Sequence, residues 1–296
     1  MLRITNSGTT ARLLQRLQTV QTRLAETQER MGTGKRINRP SDDPFGNSRV
    51  LSMRTTLNQL AQYQRGVEVA KSELAATEAG LASLSRVMDR AQELSVQADS
   101  SSVDGSGRIA IALEVDLLIQ EAVTVGNTSY GGRRIFGGYQ SATLPFVPDA
   151  SVGATAVTFQ GDAGVVSRSV GDSESVAVSV DGQAVFGGVF TSLIALRDAL
   201  NANDRGGIKA ASTALGVSSD IALRARGEIG ARVRRAEMAD ERLSADEVRL
   251  QELVSQLEDA DLTKETVDLQ ARDVALQAAL SATAKSLTTS LVAFLR

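Results

Sequence analysis

Two interleaved sevenfold series between residues 60 and 98 constrain this chain most. Leu60, Val67, Leu74, Leu81 and Met88 make one series, and Tyr63, Ala70, Thr77, Leu84, Ala91 and Ala98 make the other. Apolar residues at this spacing lie along one seam of an α-helix, whereas a strand with its period of two scatters them over both faces. The helix implied runs from Pro44 to about Ala98. At 1.5 Å per residue it is roughly 80 Å long, beyond what a compact domain accommodates. A seam of that length needs helical partners, so the expected architecture is an elongated coiled-coil rod.

The partners are legible elsewhere in the chain. Ile109 to Val125 is apolar enough to be buried on most sides and is expected to fold back along the long helix. A further helix is expected over 193–200. From Ile229 onward Val233, Ala236, Leu243, Leu250, Val254 and Leu257 keep a heptad frame, interrupted by Asp240 and Glu247. Glu228 with Arg232 and Arg242 with Asp246 stand one turn apart there and can pair. The two ends carry narrower seams. Leu13, Leu17, Val20 and Leu24 line the first helix, and Leu262, Leu269, Leu276, Leu280, Leu287, Leu291 and Leu295 line the last. A stripe so narrow does not hold a lone helix in water, so the ends are expected to pair with each other.

Between these halves, from about Gln140 to Gly188, helix formers thin out. Val157 to Phe159, Val165 to Val170, Val176 to Val180 and Ala184 to Phe186 cluster or alternate as strands do, and Asp181-Gly182 reads as a hairpin turn. The fold class is therefore mainly α with a small β insert: a long antiparallel helical hairpin with paired N- and C-terminal helices and a β-rich outer domain. Residues 1–43 and 256–296 make the terminal assembly domain, 44–140 and 190–255 the rod, and 141–189 the insert.

Composition removes most chemistry. The 296 residues include no Cys, His or Trp, which excludes disulfides, thiol nucleophiles, imidazole catalysis and Cys/His metal sites. With 32 basic and 35 acidic side chains spread along the chain, neither a nucleic-acid footprint nor a polybasic membrane patch stands out. No enzyme activity, cofactor or metal is expected. The glycine-rich stretch Gly132 to Gly138 lacks the Lys-Ser/Thr of a phosphate loop, so its glycines are structural. Asp42 and Asp43 supply too few ligands for a metal ion; Asp43 is the cap of a helix whose first residue is Pro44, after Gly32 and Gly34 have ended the previous one. The terminal seams lack the Lys/Arg-rich polar face and aromatic belt of a membrane anchor. The start, MLRITNSGTTARLL, has no cleavable signal pattern, so residence in the cytoplasm is the default unless export reads an uncleaved terminus.

Four segments carry a family resemblance. Gly34-Lys35-Arg36-Ile37-Asn38 with Ser41-Asp42-Asp43-Pro44 resembles the loop after the first helix of bacterial flagellins and flagellin-like hook-associated proteins. The turn Arg134 to Tyr139 is similar to the hook-associated branch, and the element Gln256 to Asp261 and the closing Ser290-Leu291 to Phe294-Leu295 are similar to the flagellin-like family as a whole. The resemblance implies a structural adaptor between hook and filament, or alternatively the filament subunit itself. It implies export by the flagellar type III route without signal cleavage and residence outside the cell. The implied partners are further copies in a ring-like or helical layer, another hook-associated protein, flagellin and an export chaperone. It also implies a subunit interface at Leu13, Leu17, Val20, Leu24, Leu269, Leu276, Leu280, Leu287, Leu291 and Leu295, and an interlocking loop of Lys35, Arg36, Asn38, Asp42 and Asp43.

Overall fold

The computed structural model describes the backbone of residues 3–294 and the side chains of residues 11–285. Its described elements are six helices and three short antiparallel strand pairs: α1 (Arg3–Thr33), α2 (Pro44–Asp99), α3 (Gly105–Gly126), β1 (Ser129–Tyr130), β2 (Arg133–Arg134), β3 (Phe146–Pro148), β4 (Val157–Phe159), β5 (Ser167–Ser169), β6 (Ser175–Ala177), α4 (Gly182–Asn201), α5 (Arg205–Glu258) and α6 (Leu262–Phe294). They fall into two compact units, one of Met1–Gln59 with Asp246–Arg296 and one of Leu60–Ala245.

In the second unit the heptad series do what their spacing requires. Val67, Leu74, Leu81, Met88, Ala70, Leu84, Ala91 and Ala98 are fully buried and share one apolar cluster with residues of α3, α4 and α5. α2 and α5 run antiparallel there, with Lys71 pairing Asp240 at 3.1 Å and Arg226 pairing Glu78 at 2.8 Å. Asp240, a polar interruption in the α5 heptads, is thus spent on an ion pair. A third interhelical link joins Ser95 to Ser212 through their hydroxyls at 3.0 Å.

The strands pair in sequence order, β1 with β2, β3 with β4 and β5 with β6, as three separate two-stranded ribbons. Ribbons so small need a core to lie on. Five of the seven phenylalanines provide it: Phe146 of β3 meets Phe159, Phe186 and Phe190 with centroids 5.1 to 5.2 Å away, and Phe136 meets Phe186 edge-on at 4.8 Å. Phe186 and Phe190 stand one turn apart on α4, which corrects the sequence reading. Residues 184–186 are helical, and Asp181 is the cap of α4, accepting hydrogen bonds from the N–H groups of Gln183 at 2.9 Å and Ala184 at 3.2 Å. Asp-Gly suits a helix start as well as a hairpin, and burying two aromatic rings selects the helix. Val157 to Phe159 forms β4 as expected, while β5 and β6 are shorter than the expected 165–170 and 176–180.

The connecting segments are held by polar groups, some of them buried. Gly138, at φ +64°, turns the chain tightly against Asp162, whose carboxylate accepts from the N–H of Tyr139 at 2.8 Å. Arg197 of α4 and Asp116 of α3 are both buried and pair at 3.3 Å; Arg197 also donates to the carbonyl of Ala154 at 2.6 Å, and Asp116 accepts from the N–H of Gly153 at 3.0 Å. Loop 149–156 is thereby pinned to two helices at once. Arg197→Ala strands a buried carboxylate and is expected to cost this unit about 3–5 kcal/mol in chemical denaturation. Arg205→Ala, which removes an exposed pair with Asp99, should cost less than about 1 kcal/mol. Equal costs would show that the buried network does not hold the loop.

Candidate functional site

The residues singled out for assembly all lie in the unit made by the two ends of the chain. α1 and α6 pack against each other there, antiparallel. Three contacts set the register: Arg30 pairs with Glu265 at 3.1 Å, Arg272 donates to the carbonyl of Arg23 at 2.8 Å, and Lys35 forms a backbone bridge with Asp259. Residue numbers across the pair sum to 294 or 295 in each case.

Leu13, Leu17, Val20 and Leu24 on α1, and Leu269 and Leu276 on α6, are half-buried. Leu280 is exposed at 47 %. The side chains of Leu287, Leu291 and Leu295 lie outside the described residues. A two-helix pair shields one side of each seam residue, so the most deeply covered positions on these helices are polar ones close to the partner. Thr27 is fully buried and donates to the carbonyl of Arg23 at 3.0 Å, and Glu265 is buried by its pairing with Arg30.

Where α1 ends, Gly34 takes φ +69°, which only glycine adopts without strain, and the chain turns toward the end of α5. Three carbonyls are met there. Ala260 donates its N–H to the carbonyl of Gly34 at 2.9 Å, Arg36 donates its N–H to the carbonyl of Glu258 at 2.6 Å, and the guanidinium of Arg36 reaches the carbonyl of Leu257 at 2.7 Å. The last carbonyls of α5, which no helical N–H can satisfy, are thus capped by the loop.

Glu258 is the centre of this clasp. Its buried carboxylate pairs with Lys35 at 2.8 Å and with Arg54 of α2 at 2.7 Å. Burial alone pushes its pKa up, but the two cations more than offset that and hold it below the ordinary glutamate value of 4.5. Ile37 and Val50, each 5 % exposed, pack beside it as the apolar floor.

All five residues of the expected interlocking loop have partners within the chain. Lys35 binds Glu258, Arg36 binds Leu257 and lies 3.4 Å from Asp43, and Asn38 donates to the carbonyl of Lys35 at 3.0 Å. Asp42 accepts from the N–H groups of Asn38 at 3.0 Å and Arg39 at 2.8 Å. Asp43 caps α2 by accepting from the N–H of Gly46 at 2.8 Å, and that bond, followed by Arg36, holds its pKa low. Sequence spacing gave no hint of Glu258 or Arg54, which meet across 204 residues. Arg30 and Glu265 were missed for the same reason.

Among the described residues no group of three or more His, Cys, Asp or Glu could hold a metal ion, and no helix is long and apolar enough to cross a membrane.

Two family descriptions match the chain: the bacterial flagellin N-terminal helical region over residues 4–141 and the bacterial flagellin C-terminal helical region over residues 220–295. Flagellar hook-associated protein 3 of Escherichia coli strain K12 is 28 % identical over 171 residues, 57 % of this chain and 52 % of that protein. The chain thus spans about half the length of the curated relatives that it matches first. The flagellar filament 30.7 kDa core protein of Treponema maltophilum is 25 % identical over 258 residues, 87 % of this chain and 86 % of that protein. The crystal structure of Bacillus cereus FlgL is similar with a TM-score of 0.61 and 26 % identity, covering 69 % of this chain and 99 % of that one.

The clasp makes its own prediction. A carboxylate with a lowered folded-state pKa contributes stability that is present above its unfolded pKa and is lost as pH falls through the folded value. Glu258→Gln should therefore lower the stability of the terminal unit at pH 7 by on the order of 2 kcal/mol, discounted for the half-exposed Lys35 and Arg54, with the gap closing as pH falls below the ordinary glutamate range. Circular dichroism melts of both proteins across pH measure it. A gap independent of pH would mean that the carboxylate's charge is idle.

Proposed function

The chain belongs to the bacterial flagellin family, and from that premise we propose that it is a structural adaptor of the bacterial flagellum, seated between the hook and the flagellin filament. The observation that carries this reading is the similarity to the hook-associated protein, joined to a fold whose unit of paired ends leaves its apolar seams only half covered. Its work is mechanical. Terminal helices pack into a layer with further copies, with another hook-associated protein on one side and flagellin on the other. An export chaperone holds the terminal seams before delivery, and the flagellar type III route exports the chain without removing its start. The seam residues and the loop from Lys35 to Asp43 are the contacts of that layer, the loop being held ready by its clasp to Glu258. Residues 141–189 serve as the outward part of the subunit.

A second reading has a specific observation in its favour. The Treponema maltophilum filament core protein aligns with most of this chain rather than half of it. On that reading the chain is itself the filament subunit.

Electron microscopy of cells lacking the gene, with the medium assayed for flagellin, separates the two. The adaptor reading expects bare hooks and flagellin monomers lost to the medium. Bare hooks with no subunit in the medium would make the chain the filament protein, and normal filaments would contradict both readings.

A further inference from the structure

Two helix pairs in this molecule start from the same kind of seam and end differently covered. The seam residues of α1 and α6 stay half-buried, whereas Val67 and Ala70 of α2 and Ala236 and Ala239 of α5 are almost wholly buried. Extra helices do not account for the difference. Across α2 and α3 the contacts of Arg90 with Glu114 and of Arg108 with the carbonyl of Ala98 have residue numbers that total 204 and 206, so Gly126, the last residue of α3, lies level with residues 78–80 of α2. Across α4 and α5, Gly188 lies against Ser218 and Ala199 against Gly207, totals of 406, which sets Gly182, the first residue of α4, level with residue 224 of α5. Residues 60–77 of α2 and 225–245 of α5 therefore run on together past the ends of α3 and α4.

The β5–β6 ribbon supplies the missing wall. Val170, which follows β5, and Val176 in β6 are buried in the same apolar cluster as Val67, Ala70, Ala236 and Ala239. Gly66 makes room for the ribbon's backbone: a Cβ there would stand 2.3 Å from the carbonyl oxygen of Ser169, so a side chain at position 66 lifts the ribbon off α2. On α2 the ribbon is held by Arg168, whose guanidinium pairs with Glu73 at 2.5 and 3.0 Å. On α5 it is held by Arg242, paired with Glu174 at 2.6 Å, and by Arg232, which donates to the carbonyl of Ser179 at 2.8 Å. These ties all end on α2 or α5.

We propose that the β5–β6 ribbon is a strap that opens and closes apart from the rest of its unit. Closed, it completes a three-sided seam around Val67, Ala70, Ala236 and Ala239. Open, it leaves residues 60–77 and 225–245 as a bare helix pair, with a seam half covered like that of α1 and α6. A ribbon of two three-residue strands has no stability of its own and stays down only through these contacts. Small cooperative elements of that kind open at lower cost than the core they lie on. The packing of α3 on α4 and the ring contacts of Phe136, Phe146, Phe186 and Phe190 do not pass through the ribbon, so they survive its opening. The strap thereby sets the stiffness of the stretch by which the chain enters this unit at Leu60 and leaves it at Ala245, whichever flagellar part the chain forms.

Hydrogen exchange of the full chain, followed by mass spectrometry, tests the strap with two variants that reach it from opposite sides. Gly66→Val wedges the ribbon away from the helix, and Val170→Asp lifts it from within while leaving both helices native. Each is expected to speed amide exchange at least tenfold in residues 60–77 and 225–245, with that of α3 and α4 changed less than twofold. Helix propensity does not imitate this result, because valine is the better helix former and on that ground alone would slow exchange around position 66. Exchange that rises equally in α3 and α4 would show that the ribbon opens only with the whole unit. Exchange left unchanged at 60–77 and 225–245 by either variant would show that the ribbon does not hold the pair, and each of these two results overturns the proposal.

Discussion

The structure depends on how completely the heptad seams are covered. A leucine or valine taken fully out of water contributes about 1.5–3 kcal/mol, and the contribution scales with the area removed. In the unit of Leu60–Ala245 the seam residues of α2 from Val67 to Ala98 are enclosed by residues of three other helices and of the β5–β6 ribbon, while Leu60 and Tyr63 stay partly open. In the unit of the chain ends the corresponding residues on α1 and α6 have one neighbour helix and stay half open. The same pattern of residues therefore yields a self-sufficient core in one unit and an incomplete one in the other. On the proposed reading, incompleteness of that kind is where assembly takes place.

Charge does a different task in each unit. Arg197 and Asp116 are buried, satisfied by backbone groups of loop 149–156, and fix a segment that has little apolar surface of its own. Glu258 instead gathers Lys35, Arg54 and the N–H of Arg36 at the point where α5 ends and the loop after α1 passes. It converts a helix end, with carbonyls that would otherwise need water, into a fixed junction within the terminal unit. The loop is thus tied down within the chain, and on the proposed reading less of its ordering has to be supplied by binding.

The sevenfold spacing made α2 legible to within a residue or so, the Gly34 turn and the Asp43 cap followed from local chemistry, and the α1–α6 pairing followed from the narrowness of the two end seams. What sequence could not resolve was which of two locally acceptable choices distant contacts select. Asp181-Gly182 satisfies both a hairpin turn and a helix cap, and only the burial of Phe186 and Phe190 against Phe146 selects the second. The expected pair of Arg242 with Asp246 gives way to Arg242 with Glu174 at 2.6 Å, because a carboxylate from the β5–β6 ribbon comes within reach. The loop residues were legible as a group, but their hub, Glu258, was not, since nothing in a heptad frame distinguishes it from its neighbours. The leucine seams were read as one surface, while the structure divides each terminal helix between a face toward its partner and a face toward solvent.

Hydrogen exchange measured by mass spectrometry on the free chain and on the chain within isolated flagella tests the central claim most directly. The account predicts that the amides of residues 11–33 and 262–285 exchange readily in the free chain and slow strongly on assembly, while those of α2 beyond Leu60, α3 and α4 are protected in both. Terminal helices already protected in the free chain to the level of α3, with no change on assembly, would contradict it.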